Sequence, residues 1–519
     1  MNSILKRSAF VASMTISALG LLAQPVVTDL APWASPATGE SLARQAILPE
    51  GADAGSSLAT VVYLKNLAAP RVGTDSDTDI IDSFLAEGML VVTVDFAGHA
   101  RARVPFLSDD IVRIRQDIRD DQQDGSATRF PTGYQMDNSH IFLVPEGCRL
   151  VRDLVFEDVS GITRAMDIIY PANPLFPSGS LIQISYDNQN RMNSANLANF
   201  NDSFVTAFAS EGFATAMADH PVAGGYDGID PMPGSALSVR AAVRAVRAQS
   251  EVLGLNGRIA TTGFSRGSGV ALFAVTTRNV QEWKFYLNKD TFITQTDQAF
   301  REARDAFPDE DASVQGAILL SGRFSYIDLL ENDPNLAKYT NSWGPIESYY
   351  DRGEYMGALD FLEGDPGYPI FLSVNTNEDE HANHQMDVIM QRLDGFGAEY
   401  IYMPDTTVLD NAHRVPLVHS ILNGMTEYLR SVLMDPSPAQ VLASIRFQPQ
   451  LLPENRIRWT ASEPLPPLDY ALQSSDSLST WDSEDPVRPD ASGILSIERD
   501  IPSAYGEFIR LLPPQPPME

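Results

Sequence analysis

Cysteine is almost missing from this chain. Cys148 is the only one in 519 residues, so no intramolecular disulfide can form and a small disulfide-stapled module is excluded. Basic residues are scarce beside acidic ones, 37 Lys and Arg against 68 Asp and Glu, a formal net charge of -31. A surface that negative repels phosphate backbones and anionic lipid, which argues against nucleic acid and acidic membranes as partners. Long apolar runs are scarce too. The nearest is Ala9 to Leu22, preceded by Lys6 and Arg7, broken by Ser13, Thr15 and Ser17, and followed by Ala23. It is too short to span a bilayer and reads as a secretory signal over residues 1–23. Its removal would take away two positive charges and no acid, carrying -31 to -33. The expected mature chain has no transmembrane segment and is secreted or periplasmic in a bacterium, where an exported protein can do without disulfides. Cys148 is then expected to be a buried small hydrophobe.

What the chain does have is 44% hydrophobic residues, enough for a large core. Apolar β-prone runs alternate with helical periodicity, and such alternation predicts a mostly parallel sheet covered on both faces. Strands are expected at Leu58–Leu64, Met89–Phe96, Leu181–Ser185, Phe213–Ala218, Val314–Leu320, Tyr368–Val374 and Tyr400–Met403. Helices are expected near Asp79–Glu87, Asp109–Asp120, Asn201–Ser210, Ala236–Leu253, Gln385–Leu393 and Leu417–Met434. His140–Pro145, Arg152–Phe156 and Met166–Pro171 read as consecutive antiparallel strands. In Ala236–Leu253 the valines and alanines take one face and Arg240, Arg244 and Arg247 the other. The spacing from Glu87-Gly88 to Asp95 equals that from Glu211-Gly212 to Asp219, either a duplicated half-unit or the shared habit of α/β chains. Thr277 to Pro308, helical, aromatic and charged, is expected to be an insertion over the site. After Asp435-Pro436-Ser437-Pro438 the pattern turns to short strands among prolines. The domains are therefore expected at 24–139, an N-terminal α/β extension; 140–434, the main unit; 435–441, a linker; and 442–519, a small β-sandwich.

The most informative stretch is Gly263-Phe264-Ser265-Arg266-Gly267. A buried-strand run, Arg258 to Thr262, leads into it and a helical run, Val270 to Val275, leads out. Strand, sharp turn and helix force the serine into a strained backbone conformation, and glycines on either flank remove the clashes that side chains would make. The helix amino end then offers N–H groups and a positive dipole end beside the hydroxyl. The competing reading is an ordinary turn serine. A serine nucleophile needs a base within hydrogen-bond reach and an acid to orient that base. Two loops supply candidates: Asn375 to Glu380, with Glu378, Asp379 and Glu380, and Pro404 to His413, where Asp405 and Asp410 are expected to be loop caps.

With these motifs the segment from about His140 to Met434 resembles the α/β-hydrolase superfamily, in particular its exported bacterial serine esterases. The resemblance implies a mostly parallel sheet flanked by helices, with Ser265 as nucleophile, His413 as base and Asp379, at the usual offset from its strand, as the orienting acid. Glu378 and Glu380 stay open as that acid. The first oxyanion donor is implied to be the backbone N–H of Arg266. Superfamily members carry a His-Gly pair where this chain has Ser185-Tyr186-Asp187-Asn188, so Tyr186 stands in as the second. Leu472 to Trp481, closing with Phe508 to Leu511, is similar to a C-terminal module of exported bacterial proteins.

The implied activity is hydrolysis of carboxylic esters on small molecules or polysaccharide, through a Ser-His-Asp triad and an acyl-enzyme, with no cofactor. Alternatives are an inactive hydrolase-fold protein that binds surfaces and an exo-acting serine peptidase. His381 and His384 near Asp379 could suggest a metal, but no third partner stands in register, and no metal is expected. His99, His140, His220 and His419 are expected at the surface, in packing or at the pocket mouth.

Overall fold

The computed structural model describes residues 26–34, 41–52, 57–65, 77–96, 135–159, 162–172, 178–184, 208–219, 234–288, 291–325, 327–333, 357–408, 412–413, 419–434, 447–452, 456–461, 470–475, 482–483, 487, 490, 494–500 and 508–512. The helix expected at Asp109–Asp120 lies outside these residues.

Five strands form a first sheet: β1 (Val26–Ala34), β2 (Ser41–Leu48), β3 (Ser57–Lys65), β4 (Leu90–Asp95) and β5 (Gln135–Pro145), in the order β1-β2-β4-β3-β5. The β3–β4 and β3–β5 pairs are parallel, whereas β1–β2 and β2–β4 are antiparallel. Helix α1 (Asp77–Ala86) lays Ile80 and Phe84 on one face. That face shares its core with the next part of the chain, because Val61, Tyr63, Ile80 and Phe84 cluster with Cys148, Leu150, Ile169 and Met217. Cys148 is fully buried there. The expected boundary at residue 140 falls inside β5, and His140–Pro145 pairs with β3 instead of joining the antiparallel strands that follow it.

The second sheet has eight strands. They are β6 (Cys148–Val159), β7 (Ile162–Pro171), β8 (Ser180–Ile184), β9 (Ala214–Ala218), β10 (Ile259–Phe264), β13 (Gly316–Leu320), β14 (Ile370–Ser373) and β15 (Tyr400–Tyr402), ordered β15-β14-β13-β10-β8-β9-β7-β6. Neighbours from β15 through β9 run parallel, while β7 and β6 are antiparallel. Period-two alternation divides the side chains. Ala317 and Leu319 face a core built with α2 (Gly234–Ser250), α3 (Arg266–Thr276) and α5 (Glu380–Phe396). Ile318 and Leu320 face α6 (His419–Leu433) through Ile421, Leu422, Met425 and Leu429. At about 1.5–3 kcal/mol for each fully buried large aliphatic side chain, this two-sided burial is what holds the sheet between its helices.

The two matched spacings noted in the sequence also share their chemistry. In each, a phenylalanine lies in the last helical turn, a glycine takes positive φ (75° at Gly88, 92° at Gly212), and the next N–H returns to the phenylalanine carbonyl, Met89 to Phe84 and Phe213 to Phe208. Glycine takes the left-handed position that ends a helix and lets the following strand start at once.

The segment 277–308 departs from expectation. It forms a hairpin, β11 (Glu282–Asn288) and β12 (Thr291–Thr296), followed by α4 (Asp297–Arg304). It starts where α3 ends and closes against the end of β6, where Ala306 N–H donates to Phe156 O at 3.1 Å and Arg304 pairs with Glu157. The arginine face of α2 holds it there. Arg240 pairs with Asp297 at 3.2 Å and Arg244 with Asp305 at 2.5 Å, both buried, and Trp283 Nε1 donates to Asp297 at 2.9 Å. The polar face of this amphipathic helix therefore meets protein rather than water. Burial lowers the Arg240 guanidinium to about 10 even beside Asp297.

Six short strands follow at the carboxyl end: β16 (Phe447–Leu452), β17 (Arg456–Ala461), β18 (Ala471–Ser475), β19 (Asp482–Ser483), β20 (Ser496–Asp500) and β21 (Phe508–Leu512). They form two antiparallel sheets, β16-β17-β20 and β19-β18-β21. Among the described residues no helix is long and apolar enough to cross a membrane.

Candidate active site

Strand β10 lies inside the second sheet with β8 on one side and β13 on the other, and all six of its residues are buried. The strand stops because Ser265 takes φ 52° and ψ -120°, a conformation that costs a non-glycine residue about 1–3 kcal/mol. The glycines explain how the chain tolerates it. A Cβ on Gly263 would stand 2.2 Å from the carbonyl carbon and oxygen of Gly267, and one on Gly269 would stand 2.3 Å from the carbonyl oxygen of Arg323. Backbone crosses backbone here with no room for a methyl group. The Ser265 N–H donates to Leu320 O at 2.9 Å, and although Ser265 holds the cap position of α3, its hydroxyl makes no capping bond. Arg266 is the first residue of α3, so its N–H sits at the positive end of the helix dipole.

The acid loop follows β14 and is fastened to the loop after β15. Asp405 N–H donates to Val374 O at 2.9 Å, Thr376 N–H to Asp405 O at 2.8 Å, and Asn375 Nδ2 to Thr407 O at 3.0 Å. The buried Asp405 carboxylate accepts from Thr407 N–H at 2.9 Å and so braces its own loop. Two loops distant in sequence are thereby tied together. His413 Nδ1 lies 2.5 Å from Glu378 Oε1, and its ring packs on Phe264 with centroids 4.7 Å apart and planes 38° apart. Phe264 is the residue before Ser265, so the imidazole rests on the strand end that presents the hydroxyl. The Glu378 side chain is only 3% exposed, and its second oxygen accepts a hydrogen bond from the Ser321 hydroxyl.

Asp379, the acid expected from its offset, does something else. It caps α5, accepting from Ala382 N–H through Oδ1 at 2.9 Å, in an exposed position. The short aspartate suits a cap, where the carboxylate must turn back on its own helix. The longer glutamate one residue earlier reaches across to the other loop. The signal was available, since an Asp immediately ahead of a helical run is a start marker. Glu380 is exposed and accepts from Asn332 Nδ2. Tyr186 and Asp410 lie outside the described residues, as do His99 and His220.

His381 and His384 occupy one face of α5, yet His384 Nε2 is 3.1 Å from Asp328 O and His381 Nδ1 is 3.9 Å from Asp333 Oδ2. Among the described residues, no three His, Cys, Asp or Glu side chains converge as metal ligands. Beside them Gln385 clamps the loop after β13, accepting from Phe324 N–H and Ser325 N–H at 2.8 and 2.9 Å and donating to Asp328 O at 2.9 Å. Asp360 accepts from Ser325 Oγ and Gly357 N–H on the same loop system, and burial pushes its carboxyl up to about 7 against those bonds. Phe264 and Ser321 were not singled out from sequence. An aromatic inside an apolar run announces only burial, and nothing local marks a serine at positive φ.

No protein-family model matches the chain, and no curated protein matches it in sequence. Among solved structures it is similar to a bifunctional GH43-CE protein of Bacteroides eggerthii, at 18% identity and a TM-score of 0.42, over 54% of this chain and 38% of that one. It is also similar to a truncated carbohydrate esterase from gut microbiota, at 17% identity and 0.40, over 51% of this chain and 90% of that one. Esterase B from Lactobacillus rhamnosis stands at 15% identity and 0.40, over 63% and 96%. The matched part thus spans well under half the length of the first of these proteins.

Proposed function

We propose that the chain is a serine hydrolase of carboxylic esters, with Ser265 as nucleophile, His413 as general base and acid, and Glu378 in the orienting role first expected of Asp379. The observation that supports this reading is the His413 ring, which meets Glu378 at Nδ1 and packs on Phe264, the residue before the strained Ser265. With Nδ1–H donated to a carboxylate, the imidazole keeps Nε2 unprotonated, the tautomer that can accept the serine proton. Ser265 Oγ then attacks the ester carbonyl carbon while its proton passes to Nε2. The carbonyl oxygen gathers negative charge beside the Arg266 N–H and the positive end of α3. Collapse breaks the bond to the alkoxy oxygen, which leaves as alcohol with the proton from Nε2, and the acyl group stays on Ser265. Water repeats the cycle and releases the acid. Tyr186 remains the candidate second donor to the oxyanion.

Small-molecule esters and acyl groups on polysaccharide are the substrate classes of this reading, for a secreted or periplasmic protein with a C-terminal β-sandwich module. A fluorophosphonate probe tests it. Rapid stoichiometric labelling that Ser265→Ala abolishes is expected. A folded protein that neither labels nor turns over p-nitrophenyl acyl esters would instead be an inactive scaffold.

A further inference from the structure

Among the described residues only three non-glycine residues have positive φ, and two of them, Ser265 at 52° and Ser321 at 49°, belong to this one site. The proposed chemistry accounts for the first. The second stands at the carboxyl end of β13, next to the nucleophile strand, and is 4% exposed. Its N–H donates to Ser373 O at 2.8 Å, continuing the ladder to β14, and its hydroxyl donates to Glu378 Oε2. Glycine follows at 322, so a backbone that merely needed a left-handed residue had one a step away. A serine held there at a cost of order 1–3 kcal/mol is explained if its hydroxyl is needed where that conformation puts it. Glu378 has two oxygens, one committed to His413. A carboxylate held at one oxygen alone can swing about its side-chain torsions, and His413, with 41% of its side chain exposed, would swing with it.

We infer that Ser321 is a positioning residue: by donating to Glu378 Oε2 from a strained backbone, it fixes the carboxylate plane that in turn fixes the His413 imidazole. This rests on the triad reading above. It goes further in assigning a fourth side chain, from a different strand, that acts on the reaction only through Glu378.

The test exploits the strain. Glycine at 321 removes the hydroxyl and accepts positive φ at no cost, so Ser321→Gly should leave the melting temperature equal to or above that of the wild type. With p-nitrophenyl acetate, kcat should fall about tenfold, the loss expected of one well-placed hydrogen bond, with KM unchanged within about twofold. Ser321→Ala, which keeps the strain, should lose the same activity and melt at or below the wild type. In a Glu378→Ala background the Ser321→Gly change should alter kcat by less than about twofold, because a residue that acts through another has nothing left to act on.

Ser321→Gly with more than half the wild-type kcat overturns the assignment. So does an equal fold-loss in both backgrounds, or a loss that falls on KM. These outcomes differ from failure of the triad reading itself, in which the wild type does not turn over or Ser265→Ala remains as active as the wild type.

Discussion

Glu378 and Asp379 are neighbours in sequence with opposite predicted sensitivities, and the contrast can be worked from the geometry. Glu378→Gln keeps the shape of the side chain but makes one of its two oxygens an NH2 group. Ser321 Oγ and His413 Nδ1 both donate to this carboxylate, so the new NH2 group faces one of them; the Ser321 hydroxyl can turn to accept from it, and the His413 Nδ1–H cannot. If it faces His413, the ring proton moves to Nε2 and the base can no longer accept from Ser265. Such a tautomer error lowers kcat by a factor on the order of 10³–10⁴. Asp379→Ala removes one capping bond at an exposed helix end. Losing a cap costs about 1 kcal/mol, which for a chain of this size is a Tm shift of no more than about 2–4 °C. Its kcat should stay within about twofold of the wild type. The assay is steady-state hydrolysis of p-nitrophenyl acyl esters with calorimetric Tm on the same preparations. If Asp379→Ala loses more than about half of kcat, or Glu378→Ala, which takes the acceptor away from His413 Nδ1, keeps more than about a tenth of it, the assignment of the acid is wrong.

Gly263→Ala should place a methyl 2.2 Å from Gly267 backbone atoms. The amino end of α3 must shift, costing about 1–3 kcal/mol or more in a urea melt, and fluorophosphonate labelling should slow with it. Asp360, pushed up to about 7, holds a proton in the folded state that the unfolded chain has released above about pH 4. Its contribution to stability is therefore full below about pH 4 and lost as pH rises through about 7. Asp360→Asn can still accept from Gly357 N–H and contact Ser325, so it should flatten the dependence of the urea midpoint on pH across that window and raise the midpoint at pH 8. Asp297→Ala strips Arg240 and Trp283 Nε1 of a shared buried acceptor. It should cost about 3–5 kcal/mol by denaturant titration, while kcat of the folded protein stays at the wild-type level, because Asp297 contacts Arg240, Arg244, Arg301 and Trp283 and none of the proposed triad.

Much of this protein was legible one segment at a time. Apolar runs of strand length, glycines at helix ends and the Gly-x-Ser-x-Gly turn each report a local constraint, and local constraints are written in neighbouring residues. Strands β8, β9, β10, β13, β14 and β15 were expected close to where they lie, and the strained backbone at Ser265 follows from the glycines beside it. What sequence could not decide was which of two adjacent acids meets the histidine, because a single residue of loop rotation exchanges them. The loop's direction is set by Asp405, Asn375 and Thr376, through hydrogen bonds spanning about thirty residues. The same holds for the arginines of α2, whose pattern suits a solvated face until α4, which begins at Asp297 and is followed by Asp305, closes over them. It holds for Ser321 too, ordinary in sequence and strained only because β13, β14 and Glu378 converge on it. Chain-local chemistry fixes the elements; the partners of long polar side chains are fixed only once sheet order and loop anchoring bring distant segments within about 3 Å of one another.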